Sequence, residues 1–469
     1  MTGCRVPPAA LAQAIGVLRT HFADRLVENL TVRQQHGNTL SEVPNQPPDA
    51  VVYPQTTEDV VVAVRACAAH GVPVIAFGAG TSLEGHVNAP FGGVSIDTSL
   101  MKRIIEVNRD DLDCRVEAGV TREDLNQYLR DTGLFFPIDP GAHSSLGGMA
   151  ATRASGTNAV RYVTMKDAVL SVTAVLANGQ VAVTGGHARK SSAGYDLTRL
   201  MVGSEGTLGI ITEIGLRLAG IPEEIRGGVC SFPTVRAACD AVILTIQMGI
   251  PVARIELLDE LQVKACNAYS RLDLPETPVL FLEFHGSPVS VAEQAERFGE
   301  IAAEFGGGPM QSATLAEERQ LLWAARKDAY WVARALRPTA KGISTDVCVP
   351  ISRLSACVEE TKADAVASNI LAPIVGHVGD GNFHVMPLID FESPAEVEIG
   401  AAFVDRLVRR ALAFGGTCTG EHGIGQSNKK YLGVEFNDAT LGMMRAIKRA
   451  LDPQNIMNPG KLIDLEAMP

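Results

Sequence analysis

The sequence predicts an α+β protein with two large domains. Short apolar runs alternate with helical patterns from residue 51 to residue 218, which is typical of layered sheets and helices. A second alternation begins near residue 223, after Gly220-Ile221-Pro222. The chain has 469 residues, of which 46% are apolar and 20% charged. It is therefore long enough to bury more than one core.

The first region begins with a predicted helix over 8–35, since Leu11, Ile15 and Leu18 recur at helical spacing. Thr56 and Asp59 predict a helix start, and Gly71 predicts its end. Helices are expected at 60–70 and 122–132, and strands at 51–54, 73–77, 94–97, 114–118, 169–176, 181–184 and 210–218.

The second region alternates in the same way, and we expect an antiparallel sheet there. Strands are predicted at 228–232, 252–257, 279–285, 343–349, 372–378 and 382–388. Helices are predicted at 234–248, 288–304, 314–335, 351–367 and 394–414. The tail from Leu451 to Lys461 is rich in turn residues.

Charge and composition exclude several classes of protein. The formal net charge is −12 and there is no basic block, which argues against a nucleic-acid partner. The sequence contains no run of 18 apolar residues, so no transmembrane helix is expected, and no secretory signal is expected either. The nine cysteines include no CxxC pair, so we expect reduced, buried thiols rather than disulfides. Together with Asp24 and Glu28 near the N-terminus, this favours a cytoplasmic protein over an organellar precursor.

Four glycine-rich loops in the first region are candidate ligand loops. They span 78–85, 140–148, 154–157 and 203–210. The first has neither the Rossmann spacing nor the lysine of a P-loop. Glycine and small hydroxyl residues let the backbone approach a charged or flat ligand closely. Four such loops favour a large dinucleotide over the alternative of four unrelated turns.

Histidines and a glutamate in the second region indicate a metal site. His377 and His384 are seven positions apart, and Glu421 and His422 follow in a second glycine-rich motif. Residues seven apart point to opposite faces of a straight strand, but a turn at Gly379-Asp380-Gly381 would bring them together. Imidazole and carboxylate suit a divalent cation such as zinc. The alternative is a purely structural pair of histidines.

Arg326 is a candidate for binding a carboxylate. It lies in an apolar, aromatic helical segment between Trp323 and Tyr330, with Lys341 farther along. A guanidinium grips a carboxylate through two parallel hydrogen bonds. The alternative is an internal salt bridge or a surface arginine.

Taken together, these motifs resemble the FAD-linked oxidase and dehydrogenase family typified by vanillyl-alcohol oxidase. Within it they are most similar to the cytochrome-type D-lactate dehydrogenases, near D-2-hydroxyglutarate dehydrogenase and the glycolate oxidase flavoprotein subunit. The resemblance runs from about Val51 to Leu462. It depends on seven pieces, at 77–85, 140–148, 203–210, 341–347, 376–384, 418–425 and 452–461.

The resemblance implies a two-subdomain FAD-binding domain of the vanillyl-alcohol-oxidase type and an α+β cap domain with an antiparallel sheet. We therefore expect an N-terminal helical segment at 1–45, the FAD domain at 46–222, the cap domain at 223–450, and a tail at 451–469 that returns to the FAD domain. Covalently flavinylated relatives have a histidine where this chain has Thr81, so non-covalent FAD is expected. The expected FAD contacts are Gly78, Ala79, Gly80, Thr81, Ser82, Gly85, Pro140, Gly141, Ser144, Ser145, Gly148, Ser155, Gly156, Glu205, Gly206, Gly209 and Ile210.

The resemblance also implies oxidation of a D-2-hydroxy acid, with D-lactate as the first expectation. Arg326 and Lys341 would hold the substrate carboxylate. His377, His384 and Glu421 would hold a divalent metal, zinc first and manganese or iron as alternatives. His422 would act as general base. Met386 stands where hydroxyglutarate-type relatives have asparagine, which favours a smaller or more apolar acid.

Several points stay open at this stage. Cytochrome c, a quinone or an electron-transfer protein would reoxidise the flavin, in the cytoplasm or at the inner face of the membrane. A homodimer is an alternative to a monomer. Glycolate oxidation and D-2-hydroxyglutarate oxidation are alternatives for the activity, and a flavin-free zinc hydrolase or a flavin-free binding subunit would be a protein of another class.

Overall fold

The computed structural model describes residues 6–37, 43–270, 272–313 and 315–465. Residue contacts divide this chain into two units. The first unit takes the residues up to Ser155, Thr164–Ile221 and those from Glu421 onward, and the second takes Gly156–Val163 and Pro222–Gly420. Compared with the predicted domain limits, residues 156–163 join the second unit, and the return to the first unit begins at Glu421 instead of residue 451.

The helices are, in chain order, α1 (Pro8–Phe22), α2 (Leu30–His36), α3 (Thr57–Ala69), α4 (Arg122–Leu129), α5 (Leu146–Thr152), α6 (Ala159–Tyr162), α7 (Met165–Ala168), α8 (Leu197–Met201), α9 (Val235–Gln247), α10 (Glu260–Ser270), α11 (Pro288–Glu304), α12 (Ala316–Lys327), α13 (Ala329–Arg334), α14 (Leu354–Ala367), α15 (Pro394–Ala413), α16 (Lys429–Glu435) and α17 (Asp438–Leu451).

The strands are β1 (Leu26–Val27), β2 (Ala50–Val52), β3 (Val74–Phe77), β4 (Val94–Asp97), β5 (Ile104–Asn108), β6 (Asp113–Glu117), β7 (Leu134–Phe135), β8 (Val169–Val175), β9 (Val181–Gly185), β10 (Ile210–Arg217), β11 (Ala219–Gly220), β12 (Glu224–Ser231), β13 (Val252–Leu258), β14 (Val279–Gly286), β15 (Gln311–Ala313), β16 (Lys341–Gly342), β17 (Val347–Cys348), β18 (Ile374–Gly376), β19 (Asn382–Val385) and β20 (Leu388–Ile389).

The first unit contains two main sheets, each with its own core. The four-stranded sheet has the order β1-β2-β4-β3, in which β2, β4 and β3 run parallel. The five-stranded sheet is antiparallel, with the order β5-β6-β10-β8-β9. Leu18, Val60 and Val64 of α1 and α3 pack in the first core, and Val116 and Ile214 in the second. This arrangement confirms the predicted α+β class with two subdomains.

The C-terminal tail extends the first sheet. The Val74 amide donates to the Ile456 carbonyl at 2.7 Å, and the Asn458 amide donates to the Val74 carbonyl at 2.7 Å. The buried Lys448 ammonium donates to the carbonyls of Thr207 and Met457 at 2.8 Å each. The tail is thus bound to β3 by backbone pairing, and Lys448 of α17 joins it to Thr207.

The predicted helix over 8–35 is wrong in one respect, since it is broken after Phe22. Ala23 has φ +46°, a conformation that ends the helix, and Leu26 pairs with Val52 of β2. The predicted helix over 314–335 is likewise divided at Asp328. By contrast, Thr56 caps α3 as predicted, accepting from the Asp59 amide at 3.1 Å.

The second unit is built on a seven-stranded antiparallel sheet with the order β15-β12-β14-β13-β18-β19-β17, as predicted for this region. Phe284 of β14 packs on Phe298 of α11, and Phe281 packs on Trp323 of α12. Because residues 281 and 284 lie on opposite faces of the strand, helices cover both faces of the sheet.

The cysteines behave as small apolar residues. Eight of the nine lie in the described residues, seven of those are buried, and none of the eight forms a disulfide. Burial raises the pKa of the Cys67 thiol to about 12. Cys4 lies outside the described residues.

Candidate active site

The first two predicted ligand loops lie side by side in the first unit. The Thr81 and Ser144 hydroxyls are 2.9 Å apart. A Cβ added at Gly78 would lie 2.2 Å from Ser145 Oγ, so a larger residue there would displace the Ser145 hydroxyl. Ser145 also caps α5, accepting from the Gly148 amide at 3.3 Å. The loops at 78–85 and 140–148 therefore form one glycine-rich surface, as expected of a cofactor cradle.

The loop at 203–210 is held against the same helix. The Gly203 amide donates to the Ala150 carbonyl and the Glu205 amide to the Ala151 carbonyl, both at 2.9 Å. Gly206 has φ +72°, and a Cβ there would be 3.1 Å from Ala76 in β3. Three of the four predicted loops thus meet around α5 and β3. Ser155 and Gly156 of the fourth loop stand where the chain passes from the first unit to the second.

The Glu205 side chain binds other residues of the first unit. Its carboxylate accepts from the amides of Ile424 (2.7 Å) and Gly425 (2.8 Å), and it lies 3.3 Å from His86 Nε2. Burial raises the pKa of Glu205, but His86 and the two amides outweigh burial and hold it below its ordinary value. Glu205, predicted as an FAD contact, is therefore an anion that holds the segment after His422 in the first unit.

His422 faces a carboxylate of the first ligand loop. Its Nδ1 lies 3.5 Å from Glu84 Oε1, and Ser427 donates a hydrogen bond to the same carboxylate. Both Glu84 and the ring of His422 are largely buried. A carboxylate at Nδ1 stabilises the imidazolium that forms when Nε2 accepts a proton. The pair is therefore suited to general-base chemistry, and sequence analysis had not singled out Glu84 for this purpose.

One face of the large sheet in the second unit carries a group of buried polar residues. Arg254 and Glu256 alternate along β13, and Glu283 of β14 lies directly opposite Arg254. On the other side of β13, His384 of β19 is the register partner of Val375 in β18. These residues bring charged and imidazole groups from three strands, β14, β13 and β19, onto one face.

The two histidines predicted to meet do so. Their ring centroids are 5.4 Å apart, and the rings are nearly perpendicular. A short 3₁₀ turn at Val378–Asp380 separates them, followed by Gly381 at φ +78°. The predicted turn thus folds the chain back and places His377 beside His384.

The hydrogen bonds of these rings determine their tautomers. His377 Nδ1 lies 2.8 Å and 2.9 Å from the two oxygens of Glu256. His384 Nδ1 lies 2.9 Å from the Thr345 carbonyl, which only accepts. Both rings therefore carry a proton on Nδ1, so Nε2 is the nitrogen that each ring, when neutral, offers to a metal. The donor set fits a divalent cation.

Further polar groups extend this cluster beyond the predicted residues. The Asp346 carboxylate accepts from Asn382 Nδ2 and from Thr419 Oγ1, both at 2.7 Å. His384 Nδ1 lies 3.8 Å from the same carboxylate. Gly420 packs on Asn382, at whose Nδ2 an added Cβ would approach to 2.3 Å. The next residue along the chain is Glu421, the predicted third ligand.

Arg326 and Lys341 have different environments. Arg326 is 8% exposed and reaches Glu256 Oε2 through Nε (2.8 Å) and Nη2 (2.7 Å). Its charge is therefore paired inside the second unit, the alternative that sequence analysis left open. Lys341 is exposed, with its ammonium 5.7 Å from the Phe391 ring centroid. No ion pair joins it to another described residue.

Glu256 is the important residue that sequence analysis missed. The signal was present, because Arg254 and Glu256 are two charges at alternate positions in an otherwise apolar strand, Val252–Leu258. Such a pattern indicates one polar face on a buried strand. The partners of Glu256 come from residues 326 and 377, and no local pattern identifies them.

Comparison with known proteins identifies the family. The family model described as "FAD linked oxidases, C-terminal domain" matches residues 221–462, and that of the "FAD binding domain" matches residues 48–185. The chain belongs to the FAD-linked oxidases. FAD is accordingly its cofactor, and the two flavin-free alternatives are wrong.

Curated relatives match this FAD-linked oxidase over nearly its whole length. A probable mitochondrial D-lactate dehydrogenase of Danio rerio is 49% identical, covering 97% of this chain and 93% of that protein. The mitochondrial cytochrome-type D-lactate dehydrogenase of Arabidopsis thaliana is 45% identical, covering 96% and 80%. The mitochondrial cytochrome-type D-lactate dehydrogenase 1 of Saccharomyces cerevisiae is 40% identical, covering 96% of this chain and 78% of that protein.

Solved structures support the fold independently. p-Cresol methylhydroxylase aligns with a TM-score of 0.80 at 18% identity, covering 98% of each chain. The 4-ethylphenol oxidase of Gulosibacter chungangensis aligns with a TM-score of 0.78 at 18% identity, covering 97% of each chain. At such low identity these likenesses concern the fold alone, and they confirm the predicted vanillyl-alcohol-oxidase type.

The predicted cytoplasmic location is wrong. The three relatives at 40–49% identity are all named as mitochondrial proteins. The acidic residues near the N-terminus, Asp24 and Glu28, were therefore misleading as a sign of location. Among the described residues, no helix is both long and apolar enough to span a membrane.

Proposed function

We propose that this FAD-linked oxidase converts D-lactate to pyruvate and passes the electrons to cytochrome c, with a quinone as the other candidate acceptor. Three relatives at 40–49% identity are named D-lactate dehydrogenases, and two of these names include the word cytochrome. The observation that carries the proposal is the paired His377 and His384 in a chain of this family, with both Nδ1 atoms occupied by acceptors.

We further propose that His377, His384 and Glu421 hold a divalent metal. The donor set of two imidazoles and a carboxylate suits zinc, while manganese and iron accept the same ligands. The metal supplies a Lewis acid that lowers the pKa of the substrate hydroxyl. Glu421 follows Gly420, and Gly420 packs on Asn382 in β19, the strand that carries His384.

The residues of the chain bind the substrate and move its proton. Arg326 holds the carboxylate of D-lactate through the guanidinium edge that Glu256 does not occupy, and Lys341 adds positive charge. His422 Nε2 accepts the hydroxyl proton, and Glu84 stabilises the imidazolium that results. Bound FAD would supply the acceptor for the C2 hydride, so the proton taken by His422 and this hydride would together leave pyruvate.

The residues proposed to contact FAD are the loop residues named in the sequence analysis, and we propose that they bind FAD without a covalent bond. The glycine-rich surface formed by the loops at 78–85 and 140–148 supports this assignment. The two loops approach each other closely at Gly78, where an added Cβ would lie 2.2 Å from Ser145 Oγ. For Glu205 the backbone of the loop is the proposed contact, since its carboxylate is bound to the amides of Ile424 and Gly425.

An apolar wall supports a small substrate. Met386 is buried two positions after His384 and packs with Ala333, Ala340 and Leu388. It also fills the space beside Gly342, where an added Cβ would be 2.7 Å from its Cγ. If Met386 borders the substrate, a methyl group would suit these apolar surroundings better than a second carboxylate.

An anaerobic titration tests the proposal. The purified holoenzyme is mixed with D-lactate, L-lactate, glycolate and D-2-hydroxyglutarate, and loss of the flavin absorbance is recorded. We expect bleaching by D-lactate at the lowest concentration and none by L-lactate. Treatment with a chelator should slow the bleaching, and added zinc or manganese should restore it. Preferential bleaching by glycolate or D-2-hydroxyglutarate would refute the substrate, and a rate unaffected by complete metal removal would refute the metal.

A further inference from the structure

Glu256 is a buried carboxylate that touches two proposed site residues at once. It is 1% exposed and lies near the middle of β13. Its Oε2 accepts from Arg326 Nε at 2.8 Å and lies 2.7 Å from Arg326 Nη2, while both of its oxygens lie within 2.9 Å of His377 Nδ1. An isolated charge at such a depth would be very costly, and the guanidinium compensates it.

This geometry constrains both partners. A carboxylate only accepts hydrogen bonds, so the His377 ring carries a proton on Nδ1 and, when neutral, presents the lone pair of Nε2. The contacts to Arg326 use Nε and Nη2, which are one edge of the guanidinium. The other edge, with Nη1, has no hydrogen bond to a described residue and is the edge that remains for a ligand.

We propose that Glu256 is a positioning residue that orients His377 toward the metal and Arg326 toward the substrate carboxylate. This inference rests on the proposed function, because it assumes that His377 binds a metal. Residues that orient metal-binding histidines typically affect metal affinity by roughly 10–100-fold when they are replaced. Because one carboxylate orients both residues, replacing Glu256 should affect metal binding and substrate binding together.

Substitution by glutamine removes this function while the size of the side chain is kept. The amide is neutral and replaces one of the two accepting oxygens by an NH₂ donor, so it cannot offer Arg326 and His377 the charge and the two acceptors of the carboxylate. If the oxygen stays with Arg326, the amide NH₂ group faces His377 Nδ1 and donates to it. The proton of His377 then moves to Nε2, which can no longer bind a metal.

Glu283 offers a matched control on the same sheet face. It lies on the neighbouring strand β14, opposite Arg254, and is 5% exposed. Its carboxylate accepts from His285 Nε2 and Trp323 Nε1 at 2.7 Å each. Glu283→Gln therefore removes a similarly buried carboxylate that has no contact with Arg326 or His377.

The experiment measures zinc affinity on the FAD-loaded protein after its own metal has been removed. Zinc is titrated in competition with a chromophoric chelator for the wild type, Glu256→Gln and Glu283→Gln. We expect roughly 10–100-fold weaker zinc binding for Glu256→Gln and wild-type binding for Glu283→Gln. The KM for D-lactate should also rise in Glu256→Gln, because Arg326 is no longer oriented.

Three outcomes would overturn the inference. Wild-type zinc affinity in Glu256→Gln would refute the positioning role and leave the proposed function intact. An equal loss in Glu283→Gln would show that the sheet face as a whole is responsible. A wild type that binds no zinc, and whose activity does not respond to metals, would refute both the inference and the proposed metal site.

The FAD content and thermal melting of Glu256→Gln show whether this variant folds. If it does not, a second variant tests the inference. Glu256→Asp keeps the charge but is shorter by one methylene, so it cannot reach both partners. We expect weaker zinc binding here as well, and affinity equal to the wild type would again refute the positioning role.

Discussion

Gly381 closes the turn between the two paired histidines, and its replacement by alanine tests how the site is built. Gly381 has φ +78°, and a Cβ there would lie 2.0 Å from the Val349 carbonyl oxygen. The Gly381 carbonyl in turn accepts from the Val349 amide at 3.0 Å. The backbone on both sides is thus held, and the turn cannot move without breaking this hydrogen bond.

The expected cost has two parts. A left-handed conformation costs a residue with a Cβ about 1–2 kcal/mol. Relief of the clash with Val349 requires a backbone shift, for which overpacking in a core costs typically 1–3 kcal/mol. Together these predict that Gly381→Ala lowers the free energy of unfolding of the second unit by about 2–5 kcal/mol. The shift also moves His377 relative to His384, so zinc affinity should fall.

Tryptophan fluorescence during urea unfolding measures this effect, because both tryptophans, Trp323 and Trp331, lie in the second unit. Gly299 in α11 provides the control, since it has nothing within 4 Å of an added Cβ. Gly299→Ala should raise the free energy of unfolding by about 0.5–1 kcal/mol, because alanine has the higher helix propensity, and the urea midpoint should rise with it. A Gly381→Ala variant with the midpoint and the zinc affinity of the wild type would refute the reasoning.

Three further predictions concern single side chains. His422→Ala should slow flavin reduction by D-lactate roughly 10²–10⁴-fold without loss of FAD, as stopped-flow absorbance would measure; an unchanged rate would exclude it as the base. Burial lowers the pKa of Lys461 to about 7, so the unfolded chain binds more protons and stability should rise with pH from about 7 toward the ordinary lysine pKa. Lys461→Met should reduce this rise of stability with pH in thermal melts, and an unchanged rise would show that Lys461 does not cause it. Burial raises the pKa of Asp259 to about 7, so stability should fall as pH rises from about 4 to 7. Asp259→Asn should remove that loss in urea unfolding across this pH range, and a loss of the same size in the variant would refute the prediction.

Much of the candidate site could be predicted from local sequence. Glycine loops have a local signature because the conformations they require are available mainly to glycine. The meeting of His377 and His384 could be predicted because one short turn separates them. By contrast, the break in the first helix depends on the pairing of Leu26 with Val52, which a helical pattern does not reveal.

The sequence by itself determined the α+β class, the family, the cofactor loops and the residue types available for metal and proton chemistry. Only the tertiary structure decided that Glu256 joins Arg326 to His377, that Glu205 holds the segment after His422, and that Lys341 is exposed. The physical reason is the range of the interactions. Glycine conformations and strand turns are determined within a few residues, whereas a buried carboxylate finds its partners wherever the folded sheets and helices bring a donor within 3 Å.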